Sequence, residues 1–187
     1  MRFAGSLLLS AALCVMFASP AQAKMNGRKK ASIMSGQMSG IVLSVDANNP
    51  VCRSGELRFR NLQTRKTVRG YFSDGKNIFG KLPSAKVMTV PPGTYQITGG
   101  ECRQSSSTMR SVQPLGLLSK VYGPITVGPG EIAYPGTFVF PNPRGRTEKG
   151  YSVYGNPQQV HQDLTRFEGA LAQRFVERPI GLRQRRR

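Results

Sequence analysis

A single histidine, His161, and nine acidic side chains are the small stock of proton-transfer and metal-binding groups in this 187-residue chain. One imidazole cannot build a multi-histidine metal site, and His161, next to Val160 in a helical stretch, reads as a surface or packing residue. The common catalytic signatures are missing as well: there is no Gly-x-Ser-x-Gly, no His-Glu-x-x-His, no Walker phosphate loop and no Gly-x-Gly-x-x-Gly opening a helix. Carboxylates are scattered, so spacing gives no support to a glycosidase pair such as Glu56 with Glu101 or Glu131. The expectation is a protein without enzymatic activity, metal or cofactor.

Long apolar runs are absent too. The longest, Leu7 to Phe17, falls far short of the ~20 residues a membrane-spanning helix needs. With Arg2 before it and Ala21-Gln22-Ala23 after it, residues 1–23 have the layout of a cleavable signal peptide, cut after Ala23. The mature chain from Lys24 is long enough for one domain with tails. Cys14 leaves with the signal, so two cysteines remain. Cys52 and Cys102 are expected to form one disulfide in an oxidising periplasmic or secreted setting. Closing a loop of that length is worth roughly 4 kcal/mol in chain-entropy terms. Neither cysteine has the Cys-x-x-Cys spacing or histidine neighbours of a redox or zinc site.

Negative charge is what the chain has least of: 27 Lys and Arg stand against 9 Asp and Glu, a formal net charge of +18. That excess speaks to partners and solubility, not to fold. Two readings stay open, a charge that keeps an exported protein soluble and a charge that meets an anionic envelope component. Polysaccharide, lipid head groups or another polyanion fit the compartment, peripheral membrane contact is compatible, and nucleic acid fits least.

From Lys24 onward the pattern is that of β structure. Residues 24–39 have no period of 2 or 3.6 and read as a flexible basic leader. Gly40 to Val45 is a short β-branched strand, and Asp46 to Pro50 a turn. Glu56-Leu57-Arg58-Phe59-Arg60 alternates strictly and Lys66 to Phe72 reads as a second strand, which predicts a hairpin with Leu57, Phe59, Val68 and Phe72 inward. Its outer face carries Arg58, Arg60, Arg69 and Tyr71, arginine forks for an anion and a ring for stacking, and these are the candidate binding residues. An ordinary solvated sheet face is the competing reading. Ile78-Phe79 in the following loop is expected under the sheet. Val87 to Ile97 reads as strand, Pro-Gly turn and strand, a hairpin whose Gly93 takes a positive φ. Val121 to Phe140 repeats it around Gly128-Pro129-Gly130, with Pro135 marking an edge or a bulge. Ser105 to Thr108 and Pro141 to Lys149 read as connections.

Residues 155–178 read as one amphipathic helix. Asn156 suits the N-cap, Pro157 the first turn and Gln159 a capping box, and Val160, Leu164, Phe167, Leu171 and Phe175 recur on one face. The helix covers a sheet face, or lies on an anionic membrane together with the basic tail at 179–187, whose Arg185, Arg186 and Arg187 join the candidate anion contacts.

The segment Val87 to Ile97 resembles the V-x-V-P-P-G-x-Y hairpin of small prealbumin-like sandwiches, including carboxypeptidase-regulatory-like domains and small exported bacterial proteins, in which a Gly-Pro-Gly-Glu hairpin like Val127 to Tyr134 often follows. The resemblance implies an antiparallel sandwich of the bacterial cell envelope and no catalytic residues. The basic charge, the two cysteines and the C-terminal helix depart from that pattern. The resulting expectation is a mainly β chain: a single antiparallel β-sandwich at 40–154 with one C-terminal helix, exported, binding an anionic partner. The alternative is a structural or assembly factor that docks a protein through its helix or a sheet edge.

Overall fold

The computed structural model describes residues 25–45, 54–73, 76–77, 80–81, 85–105, 110–114, 118–139 and 152–182. The expected signal peptide, the turn at 46–50, Cys52, the Ile78-Phe79 pair, most of the Ser105 to Thr108 connection, the segment 141–149 and the final arginines lie outside them. In chain order the elements are α1 (Gly27–Met34), β1 (Ser39–Val45), β2 (Ser54–Asn61), β3 (Thr67–Ser73), β4 (Lys76–Asn77), β5 (Gly80–Lys81), β6 (Ala85–Val90), β7 (Gly93–Ser105) and β8 (Arg110–Pro114). Then follow β9 (Pro124–Val127), β10 (Ile132–Tyr134), β11 (Thr137–Val139), β12 (Ser152–Tyr154), α2 (Pro157–Glu168) and β13 (Phe175–Glu177). The chain is mainly β, with two large sheets and a C-terminal helix.

The first sheet is built on β1. β6 runs antiparallel to it, from Ser39 opposite Val90 to Ser44 opposite Ala85, while β10 and β11 run parallel to it in succession. β13 continues parallel beside β10, and β12 antiparallel beside β11. This sheet is therefore mixed, which corrects the expectation of purely antiparallel pairing. Pro135 marks the break between β10 and β11, where a bulge was one of the two expectations. Parallel pairing buries strands on both faces, and every residue of β1 is buried. Ile41, Leu43 and Val45 join one core, while Val42 joins another with Ile33, Ile132, Val160, Leu164 and Leu171.

The second sheet has the order β3-β2-β7-β8, with β9 also on β7, and is antiparallel throughout. The β2–β3 hairpin pairs Phe59 with Val68 and Gly55 with Phe72, and its apolar side chains enter the core as the alternation predicts. That core takes Leu57, Phe59, Tyr95, Ile97 and Ile125 from the second sheet and Ile41, Leu43, Met88 and Phe138 from the first. At Gly70 an added Cβ would lie 2.3 Å from Leu43 Cδ1 and 2.8 Å from Met88 Sδ, so a side chain there would have to push these two core residues aside.

The two Pro-Gly segments are not hairpins. β6 pairs in the first sheet and β7 in the second, so Pro91-Pro92 carries the chain from one sheet to the other. Gly128-Pro129-Gly130 carries it back, from β9 to β10. The two corners are neighbours, since Gly93 pairs with Val127. Each has its own clamp. The Tyr95 hydroxyl donates to the Pro91 carbonyl at 2.6 Å, and Gly93 takes a φ of 151°. At the other corner Glu131 accepts from the Gly128 amide and from Arg178, both at 2.8 Å.

Both predicted tails change. The leader contains α1, capped by the Asn26 side chain, which accepts from the Arg28 amide, and anchored by the fully buried Ile33. Eight residues rarely hold a helix in water, and here tertiary packing of Ile33, Met34 and Met38 supplies the stability that no periodicity announced. At the other end the helix stops at Glu168. Gly169, at φ 49°, is the C-cap, and its N–H bonds back to the Leu164 and Thr165 carbonyls. A 3-10 stretch, Gly169–Arg174, keeps Leu171 buried, and Phe175 enters β13. The Asn156 side chain makes no capping bond, and Gln159 bonds Asp163 rather than completing a capping box. Val160 and Leu164 bury their side chains against the first sheet, worth about 1.5–3 kcal/mol each.

The Gly128 hydrogen bond, with the Arg178 guanidinium behind it, holds the Glu131 carboxyl below its ordinary range. Because the folded state binds this proton less readily, its stabilisation is full above the unfolded pKa and is lost as pH falls through the folded one. Glu131→Gln should therefore lower Tm at pH 7, and the gap to the wild type should narrow below about pH 4, in thermal melts followed by circular dichroism.

Candidate functional site

Alternation on β2 places Glu56 beside Arg58 on the outer face, and pairing brings Glu101 opposite Glu56 and Arg69 opposite Arg58. Like charges directly across a ladder repel. Here the two signs interleave instead. Arg58 Nε donates to Glu56 at 2.9 Å, its Nη2 donates to Glu101, and Arg69 Nη1 lies 3.9 Å from the other Glu56 oxygen. The Glu56 side chain is only 4% exposed beneath this pair. Arg58, bonded above all to Glu56 and attracted by both carboxylates, is held more firmly protonated than usual. Its fork is occupied, so the expected three-arginine face is not an open anion cradle.

Of the other predicted residues, Arg60 is exposed and has no ion pair among the described residues. Arg69 and Tyr71 stand out, with the Arg69 side chain 62% and Tyr71 54% exposed. Arg185, Arg186 and Arg187 lie outside the described residues, as does Cys52. Cys102 is buried on β7 opposite Gly55, in the core shared by both sheets. His161 is exposed on α2, with its ring edge-on to Phe175 at 5.5 Å. No group of three or more metal-ligating side chains occurs among the described residues.

Arg69 and Tyr71 also line a groove of about 480 Å³. It is lined by residues of β3, β6 and α2, and by Met25, Asn26 and Lys29 from α1 and the residues before it. Leu43, Val87, Met88, Leu164 and Phe167 supply apolar lining, Lys29, Arg69 and Lys86 bring cations from three different elements, and Asp163 and Glu168 bring two carboxylates. β6 borders it with an edge that carries no strand among the described residues, since its pairing is with β1 alone. Two of the groove's polar groups, Arg69 and Tyr71, are legible from strand alternation. Lys29 and Lys86 were not, because one follows from an unannounced helix and the other from the position of β6 at a sheet edge.

No family model and no curated protein matches this chain. Among solved structures it is similar to a leucine-rich repeat protein from Bacteroides thetaiotaomicron VPI-5482, at 16% identity and a TM-score of 0.36. The likeness covers 54% of this chain and 13% of that one, so the chain spans a small part of that neighbour's length.

Removing Arg58 strands a buried carboxylate, whereas removing Arg60 strands nothing. Arg58→Met should lower Tm clearly while Arg60→Met leaves it within error, and equal shifts would show that Glu56 does not depend on the pair.

Proposed function

We propose that the chain is an exported, non-enzymatic envelope or secreted protein that binds an anionic ligand in the groove between β3, β6 and α2. The convergence of Lys29, Arg69 and Lys86 around an apolar floor is the observation that carries this reading. Cations on separate rigid elements fix an anionic group in place, and the floor takes an apolar portion of the same ligand. The ligand class is therefore an anionic amphiphile of the envelope, with Tyr71 as a further contact at the rim. In this reading Arg58 is structural, and Arg60 and the final arginines add long-range attraction that salt screens. The proposal includes cleavage after Ala23, a prealbumin-like sandwich arrangement of the two sheets, and a Cys52–Cys102 disulfide. The shared core and the Tyr95 clamp at the sheet-to-sheet corner support the sandwich.

The open edge of β6 favours a second reading, in which an extended segment of a protein partner adds a strand there. Salt separates the two, because strand addition rests on main-chain hydrogen bonds.

Calorimetry with dodecyl phosphate below its micellar concentration tests the first reading. Binding should weaken about tenfold or more in the Lys29→Ser, Arg69→Ser, Lys86→Ser triple variant. A control that loses the same charge at exposed positions that do not line the groove, Arg65→Ser, Lys66→Ser and Lys120→Ser, should change it far less. Equal losses in both variants would reduce the effect to net charge, and no loss in either would remove the groove from the account.

A further inference from the structure

Glu168, the last residue of α2, is only 8% exposed, yet just one of its carboxylate oxygens is satisfied. Oε1 accepts the backbone N–H of Met25 at 2.8 Å. Oε2 is buried with no hydrogen-bond partner. The nearby Lys30 ammonium does not supply one, since it donates to the Glu168 backbone carbonyl at 2.7 Å. A buried carboxylate bonded by a single amide is costly unless a positive charge completes its shell.

The chain itself brings such a charge. Met25 is the second residue of the mature chain if the signal peptide is cut after Ala23, so cleavage would place a free α-ammonium on Lys24. That nitrogen is three bonds from the Met25 nitrogen already held by Glu168, which keeps the two within about 3.7 Å. In the uncut precursor the same atom is a neutral amide. We propose that Glu168 is a receptor for the new amino terminus: its carboxylate binds the α-ammonium of Lys24 together with the Met25 N–H, so that processing completes the folded state. The inference rests on the export reading above for the position of the cut, and the chemistry is that of amine capture by a carboxylate at a fixed backbone position. Met25 and Glu168 both line the groove, so the anchored terminus also forms part of its wall.

The test is a double-mutant cycle on the chain 24–187, released from an N-terminal tag by a protease that leaves Lys24 first. One axis is the terminus, free Lys24 against the same chain with Gly-Ser placed before it. The other is the wild-type side chain against Glu168→Gln, which keeps an acceptor for the Met25 N–H but no charge. With Glu168 present, the Gly-Ser extension should lower Tm by about 2–4 °C. In the Glu168→Gln background the extension should have almost no effect. Equal Tm losses from the extension in both backgrounds, or none in either, would overturn the proposal. If Glu168→Gln alone fails to fold, acetylation of the α-amine of the wild-type protein gives the same comparison without touching Glu168: a Tm loss equal to that of the extension supports the ion pair, and no loss contradicts it. The mass of protein exported from cells is read separately, and a terminus other than Lys24 would defeat the export reading while leaving the cycle to decide what Glu168 does.

Discussion

The structure depends on β1 being buried on both faces. Ile41, Leu43 and Val45 pack into the core that both sheets share, and Val42 packs on the opposite side with α2 and the residues of α1. A strand with no solvent face must have covering on each side, and that requirement accounts for much of the remaining chain. The second sheet covers one side. α1, α2 and the 3-10 stretch after α2 cover the other, which is why a short, strongly basic segment near the N-terminus is helical at all.

The corners follow from the same arrangement. A chain that must serve two sheets has to cross between them, and the prolines and glycines of the two similar segments do this side by side, one crossing out and the other back. Tyr95 pins the first crossing and Glu131 the second. Through Arg178 the second corner is also tied to the segment after β13, so the C-terminal part of the chain is held at the corner as well as along α2. The groove lies where these constraints leave two strand edges, β3 and β6, near α2 with no strand between them among the described residues.

How much of this was readable from sequence divides along physical lines. Strict alternation in Glu56 to Arg60, with Val68 and Phe72 spaced to match it, reports a face, and the β2–β3 hairpin has that face inward. The Pro-Gly segments imitate hairpins because a tight reversal within a sheet and a corner between sheets use the same local residues, while the identity of the pairing partner is decided far away in the chain. Gly40 to Val45 is a short continuous apolar run, and such a run signals double burial without saying what covers it. Gly169 is a local stop signal inside a helical period that runs past it, because Leu171 and Phe175 are apolar for other reasons, one in a 3-10 turn and one in β13. At the candidate site, alternation placed Arg58 and Arg69 correctly on the outer face. It also placed Glu56 there, and the pairing of these charges needed only the register of three strands to become evident.

Amide hydrogen exchange tests the central claim most directly. If burial of β1 on both faces organises the fold, the amides of Ile41, Val42 and Leu43 should be among the slowest in the protein and should open only with global unfolding, while those of the edge strand β8 exchange through smaller openings. Exchange in β1 as fast as in β8, under conditions where β2 and β7 stay protected, would contradict it and place the stable centre of the protein in the second sheet alone.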